Sequence, residues 1–391
     1  MKIAFATHYD ILNRHTWHRK MIGHCGTNYY KALALAKQCE SLEYIGPLKE
    51  NYSPIYKYIF KTKNRWHKHF TKQVYQPWAE KIVNQSYASQ IYQKLLDINP
   101  HIVLCPDINL ASYLECKQPV IVWTDSSYAG LMNFYPDQTN LCKDTLEQLI
   151  AMDKLTYDKC SYAIFSSDWA AQKVIDIYQV DPSKVKVIPS GANVECNRTL
   201  EDIKEIVDAR PSNQCKLLFL GVDWYRKGGD IALEVASELQ KTGLNVELTI
   251  VGCQPFQNDS YPYFVVNPGF INKSTEEGLN KINKLIAESH FIIVPSRAEA
   301  YGNVFCEANS FGVPCISTNV GGIPTIIKDT LNGKVFSLNA SISDYCNYIY
   351  NIFLTYSEYK KLALSSFNEY QNRLNWTVAT QTAKELFMDL I

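Results

Sequence analysis

No two of the 12 cysteines stand in a C-x-x-C spacing. Several instead sit inside apolar runs, Cys105 in HIVLCPD and Cys315 in VPCIST among them. Free cysteine buries readily as a small hydrophobe, so neither a zinc site nor a disulfide framework is indicated, and a reducing, cytoplasmic setting is expected. G-x-G-x-x-G and P-loop motifs are absent too, which removes the main support for dehydrogenase and P-loop nucleotidase readings. No apolar run approaches the roughly 20 residues of a membrane-spanning helix. At the N-terminus, MKIAFATHYDIL reads as a strand followed by polar residues, without the apolar centre of a signal peptide. The formal net charge is +0, which argues against nucleic acid as the main partner.

What is present describes a globular protein: 391 residues, 46% hydrophobic and 20% charged. That length exceeds one ordinary core and predicts two domains of roughly 150 to 200 residues each. Short β-rich runs alternate with helical patterns throughout. KIAFAT precedes the helix-like TNYYKALALAKQC, and HIVLCP, PVIVWT, YAIFSS and KVKVIPS follow. A second series begins near Lys216 with KLLFLG, then the amphipathic GDIALEVASELQKTG closed by Gly243, then NVELTIVG, HFIIVPS and VPCIST. The alternation predicts an α/β fold with parallel strands covered by helices on both faces, and the pattern runs twice. The seam falls in PSGANVECNRT, residues 189 to 199, where proline, glycine and asparagine interrupt the periodicity. The expected division is 1–190, 191–374 and a C-terminal helix over 375–391, capped by Asn375 and striped by Trp376, Ala379, Ala383, Leu386 and Leu390.

One stretch stands apart. Between Asn51 and Ala79 there is no acidic residue, while Lys57, Lys61, Lys63, Arg65, Lys68 and Lys72 accumulate. Tyr56, Ile59, Phe60, Trp66, Phe70, Val74 and Trp78 recur there at near-helical spacing. Two readings stand: a core-facing helix with a solvated basic face, or an amphipathic surface over residues 52–78 that meets anionic lipid or an anionic acceptor.

Ligands of open parallel sheets collect at the carboxyl ends of the strands. There KLLFLG opens into VDWYRKGGD, where Arg226 and Lys227 precede Gly228 and Gly229 at a helix start. This pattern suits a diphosphate, or equally a cap with two solvated cations. HFIIVPS opens into RAEAYGN, placing Glu299 in a loop before Gly302, where backbone N–H groups can approach a ligand. In a helix beginning near Asn303, Val304, Glu307, Ala308 and Phe311 share one stripe, so Glu307 intrudes among apolar residues. A carboxylate there is costly unless donors such as sugar hydroxyls meet it.

VPSRAEAYGNVFCEANSFGVPCISTNVGGIPTIIKDTLNGKVF resembles the donor-binding signature of the family 4 retaining glycosyltransferases, which have the GT-B fold. Glu299 and Glu307 match the family's paired glutamates. FLGVDWYRKGGDIALEVA resembles its segment of diphosphate-binding cations, VKVIPSGAN its interdomain stretch, and GTNYYKALALAK the glycine turn opening its first helix. The resemblance is strong over residues 160 to 340 and weak between 47 and 95. It implies two Rossmann-like domains with parallel sheets facing a central cleft, an N-terminal acceptor domain and a C-terminal donor domain, with a hexose-type sugar moving from a nucleoside diphosphate to an acceptor hydroxyl of a glycan, lipid-linked or polysaccharide precursor. Glu307 would hold the ribose and Glu299 the donor sugar. Amides near Gly302, Asn303 and Val304 would meet the diphosphate or sugar, and Lys227 with Arg226 would neutralise the leaving group. Gly26 would let the first helix's N-terminus approach the same phosphates.

The sequence departs from the family at several positions. Val222 stands where an arginine is common, and Asp125 where many members have histidine; Asp125 is either a turn residue or a contact to donor sugar or acceptor. The usual interdomain asparagine and aspartate are Ser190 and Asn193. No D-x-D occurs, and no metal or other cofactor is expected. A nucleotide-sugar epimerase on the same fold and a non-catalytic nucleotide-sugar-binding protein are the alternatives.

Overall fold

The computed structural model describes residues 1–256 and 261–391, which divide into two compact units. The first contains Met1–Thr16, Lys31–Ile188 and Thr380–Ile391. Its sheet is built from β1 (Lys2–Ala6), β2 (Ser41–Ile45), β3 (Ile102–Cys105), β4 (Val120–Thr124), β5 (Tyr162–Phe165) and β6 (Val185–Val187), in the order β2-β1-β3-β4-β5-β6. All pairings are parallel. β3 is buried along its whole length and β4 up to Trp123, which is why both read as unbroken apolar runs. Ile91 and Leu95 from the helix Lys81–Ile98 join Val174 from Asp168–Tyr178 in that core.

The second unit contains Trp17–Tyr30 and Pro189–Ala379. Here β7 (Cys215–Leu220), β8 (Val246–Val251), β9 (Val265–Gly269), β10 (Phe291–Ile293), β11 (Cys315–Thr318) and β12 (Gly333–Phe336) form a second parallel sheet, ordered β12-β11-β10-β7-β8-β9. The chain moves outward from β7 to β9, then returns to the other side of β7 for β10. This doubly wound order creates a topological switch point between β7 and β10.

The α/β class and the repeated parallel series agree with the sequence reading. Three strands were not legible in it: β2, β9 and β12. All three are sheet edges, where burial is partial and the apolar pattern thins out. β9 also carries an asparagine and a proline in VVNPG.

Three local expectations are corrected. Gly26 does not open its helix, which runs over Ile22–Ala36 and is preceded by a 3-10 turn at Arg19–Met21. Its N–H therefore lies within the second helical turn rather than among the unpaired terminal amides. In the last helix, Trp376–Met388, the Asn375 side chain caps the Val378 N–H at 2.9 Å as expected. Its buried stripe, however, ends on Phe387, and Leu386 and Leu390 lie half-buried beside it. Finally, the aromatic positions of the basic stretch do not face a core as a set. Its helix Pro54–Trp66, continued by one π turn at His67–Thr71, buries only Phe60 and His67.

Candidate functional site

The loops after β7 and β10 meet at the switch point of the second sheet. Gly228 makes their contact possible: its φ is +73°, and a Cβ there would overlap the Pro295 carbonyl oxygen. Gly228 is also the N-cap of the helix Gly229–Lys241. Across this contact, Lys227 Nζ donates to the Glu299 carboxylate. Arg226 Nη1 lies 3.7 Å from Glu299 Oε2 and donates to the Ala298 carbonyl at 2.9 Å. Both cations and Glu299 are largely withdrawn from solvent, so each charge depends on its partners.

Arg297 holds the two loops together. Its guanidinium donates in a fork to Asp230 at 2.8 and 2.7 Å and lies 4.0 Å over the Tyr225 ring. Arg297 N donates to Arg226 O at 2.7 Å, which extends the contact through the backbone. The fork also holds the Asp230 carboxyl below the usual carboxylate range, against the opposing effect of burial.

Gly302, at φ +103°, caps the helix Asn303–Asn309. A Cβ there would lie 2.9 Å from the Phe305 ring and 3.3 Å from Glu299 Cγ, so the glycine keeps this turn tight over the glutamate. Glu307 is 2% exposed among Phe305, Ala308 and Phe311, as the stripe predicted, while Val304 is half-buried. Lys273 Nζ donates to Glu307 Oε1 at 2.5 Å. Glu307 Oε2 is buried and has no hydrogen-bond partner among the described residues.

The structure also brings in residues that sequence reasoning passed over. Lys273 follows β9, the edge strand that was not recognised, so its loop was not placed at the carboxyl edge. Its position just before the helix cap Thr275 was the available signal. Thr27 accepts hydrogen bonds from Asn303 Nδ2 at 2.6 Å and Asn193 Nδ2 at 3.0 Å. Arg19 stacks 4.1 Å over Phe270 and donates to the Gly252 carbonyl at 3.3 Å. Gly26 packs beside Asn193, where a Cβ would make an ordinary contact at 3.7 Å. Ser190 offers its carbonyl to the Tyr301 hydroxyl at 2.8 Å, and Val222 is exposed.

In the first unit, Asp125 follows β4 and is exposed. It is not the cap of the next helix, because Ser127 fills that role by accepting the Gly130 N–H at 2.9 Å. Beneath it Lys31 is buried and donates to the Trp123 carbonyl at 2.7 Å. Burial brings the Lys31 ammonium down to about 8, with Asp107 and Asp125 acting in the opposite direction. His8 Nδ1 and Asp107 Oδ2, 3.7 Å apart, bridge the ends of β1 and β3.

Two parallel six-stranded sheets, the second carrying paired glutamates and cations at its switch point, define the architecture of the GT-B glycosyltransferases. Residues 214–352 match the family model described as glycosyl transferases group 1, and it is in this segment that the chain resembles that family. Among curated proteins, an uncharacterized glycosyltransferase of Methanocaldococcus jannaschii is 27% identical over 235 residues, covering 56% of each chain. The D-inositol 3-phosphate glycosyltransferase of Mycobacterium marinum is 23% identical, covering 46% of this chain and 40% of that protein. The chain thus spans about half the length of the curated relatives it matches. Among solved structures, Thermosynechococcus elongatus sucrose-phosphate synthase superposes with a TM-score of 0.65 at 15% identity, covering 100% of this chain and 99% of that one. Anabaena HepE, solved with UDP and glucose, superposes at 0.62 with 15% identity and 100% coverage of both. At such identities the likeness establishes the fold.

Proposed function

We propose that the chain is a retaining, metal-independent glycosyltransferase that moves a hexose-type sugar from a nucleoside diphosphate to an acceptor hydroxyl. The observation that carries this reading is the Glu307 carboxylate, one oxygen paired with Lys273 and the other buried with no donor among the described residues. A buried acceptor of that kind is satisfied by a vicinal pair of ribose hydroxyls. Glu299, held by Lys227 beside Arg226, receives the donor sugar's hydroxyls. The two cations then stand where charge grows on the departing diphosphate, and preorganised donors of this kind contribute roughly 3 to 4 kcal/mol each. Support for a nucleotide-sugar donor also comes from HepE, which was solved in complex with UDP and glucose.

In this reading residues 1–190 form the acceptor domain and 191–374 the donor domain, with 375–391 belonging to the former. Asp125 acts on the acceptor or donor sugar. Amides at Gly302, Asn303 and Val304 meet the diphosphate, with Gly26 close to them. The acceptor is a glycan, lipid-linked or polysaccharide precursor, and the protein works in the cytoplasm with peripheral membrane contact through 52–78. No helix among the described residues is long and apolar enough to cross a membrane.

A thermal-shift screen of UDP-, GDP- and ADP-sugars tests the donor site. A true donor at 100 times its dissociation constant stabilises the chain by about 2.7 kcal/mol. Anomeric analysis of the product then tests retention. No shift with any sugar nucleotide sinks the proposal.

A further inference from the structure

The helix Pro54–Trp66 and the π turn that follows it have three different faces. Residues recur about every 100° around a helix, so positions three and four apart share a side. Phe60 and His67 are buried, and Lys63 between them is held by Glu80 and Asp144, each 3.0 Å away. Tyr52 and Tyr56 pack on Phe60, and Tyr75 stacks on His67, so this face is fixed to the first unit. A second face carries Ile55, Ile59, Trp66 and Phe70, with Tyr58 at its margin. These side chains point into solvent: Ile55 is 68% exposed, Tyr58 70%, Trp66 51% and Phe70 77%. Lys57, Lys61, Arg65 and Lys68 occupy the third face and are all exposed.

Large apolar side chains gathered on one exposed stripe mark an interaction surface rather than ordinary surface scatter. We infer that this face docks on an anionic lipid bilayer. Trp66, Phe70, Ile55, Ile59 and Tyr58 enter the interfacial layer, and the row from Lys57 to Lys68 meets the phosphates of the headgroups. Charge complementarity selects this occupant: no acidic residue lies between Asn51 and Ala79, and aromatic residues flanked by a basic row suit a helix lying in the membrane plane. A second copy of the chain fits poorly, because a two-fold contact through this face sets the same cations against each other. The inference deepens the membrane contact of the proposed function and rests on that reading only in giving the contact a purpose.

Co-sedimentation of the full chain with phosphatidylcholine vesicles, with or without one-third phosphatidylglycerol, tests it. The chain is expected to pellet with the anionic vesicles and to be released from them by salt. Trp66→Ala with Phe70→Ala, or Lys61→Glu with Arg65→Glu, should each reduce the bound fraction about tenfold. Unchanged melting temperatures and donor-induced shifts in both variants would show that lost binding is not lost folding. Three results overturn the inference: no pelleting with anionic vesicles, pelleting that neither pair of substitutions alters, or a dimer in size exclusion that the same substitutions abolish. A wild-type chain that pellets but shows no donor shift supports the docking surface and counts against the glycosyltransferase reading alone.

Discussion

Lys273 Nζ sits 2.5 Å from Glu307 Oε1, across 34 residues of sequence, and the second oxygen of that carboxylate has no donor among the described residues. The pair joins the loop after β9 to the helix behind β10. Losing the lysine strips a buried carboxylate of its cation, whereas losing the glutamate removes the acceptor itself. Glu307→Ala should therefore weaken donor binding by about 10- to 100-fold with a smaller change in kcat. Lys273→Met should lower stability by roughly 1 to 3 kcal/mol as well as weakening the donor. Calorimetric titration of the nucleotide and urea unfolding of both variants check this. In the double variant the losses should be less than additive.

Glu299 and Lys227 are expected to behave differently from that pair. On the proposed reading, Lys227→Met removes a donor acting on charge that develops during the reaction, so kcat should fall by about 100- to 1000-fold with little change in KM. Glu299→Gln should reduce kcat strongly as well. Steady-state kinetics with the donor found in the screen measure both effects, and unaltered constants in the two variants would remove these residues from the mechanism.

The proposed function gives the charge on the leaving group to Arg226 and Lys227 rather than to a metal ion. Turnover should therefore persist in excess chelator, with a change of less than about twofold, because protein cations supply the electrostatic stabilisation. A strict requirement for added magnesium or manganese would overturn that assignment.

Gly228 is expected to be intolerant of any side chain. Alanine there must adopt a positive φ and overlap the Pro295 carbonyl, so Gly228→Ala should cost about 1 to 3 kcal/mol or more. It should also separate Lys227 from Glu299. Thermal unfolding together with kcat reads both consequences.

Acid should destabilise the second unit through His290. Its Nδ1 accepts the Lys216 N–H at 3.0 Å, and burial, with Arg210 nearby, lowers its pKa to about 3. In the unfolded chain the imidazole takes its proton near pH 6.5. Between these values the unfolded state binds more protons, so stability rises with pH. The contribution is complete above about 6.5 and is lost as pH falls toward about 3. Urea midpoints measured from pH 7 to pH 4 should decline, and His290→Asn should flatten that decline from a lower starting stability.

The legible parts of this protein were those where burial is uniform. Central strands such as KLLFLG and HFIIVPS are apolar on both faces and declared themselves, as did the intrusion of Glu307 into a helical stripe. The edge strands β2 and β9 were lost because a half-exposed SLEYI or VVNPG has no single period to follow. Missing β9 hid Lys273, whose partner is remote in the chain and cannot be inferred from local spacing. Between Asn51 and Ala79 the aromatic residues divide between a buried and an exposed face. Helical spacing alone does not distinguish core from water when both faces are apolar. Gly26 was displaced for a related reason, since the residues before it, from Ile22, carry no strong cap to announce the helix.

Neither unit is a continuous piece of sequence, since Trp17–Tyr30 belongs with the second and Thr380–Ile391 with the first. A cut at Ile188 would therefore leave each fragment lacking part of its own unit and carrying part of the other. Transplanting the second unit onto a foreign partner would have to bring residues 17–30 along, including Thr27, whose hydroxyl receives Asn303. Recombination at the apparent midpoint is thus disfavoured by the path of the chain itself, and exchange of specificity is expected to proceed by substitution within loops.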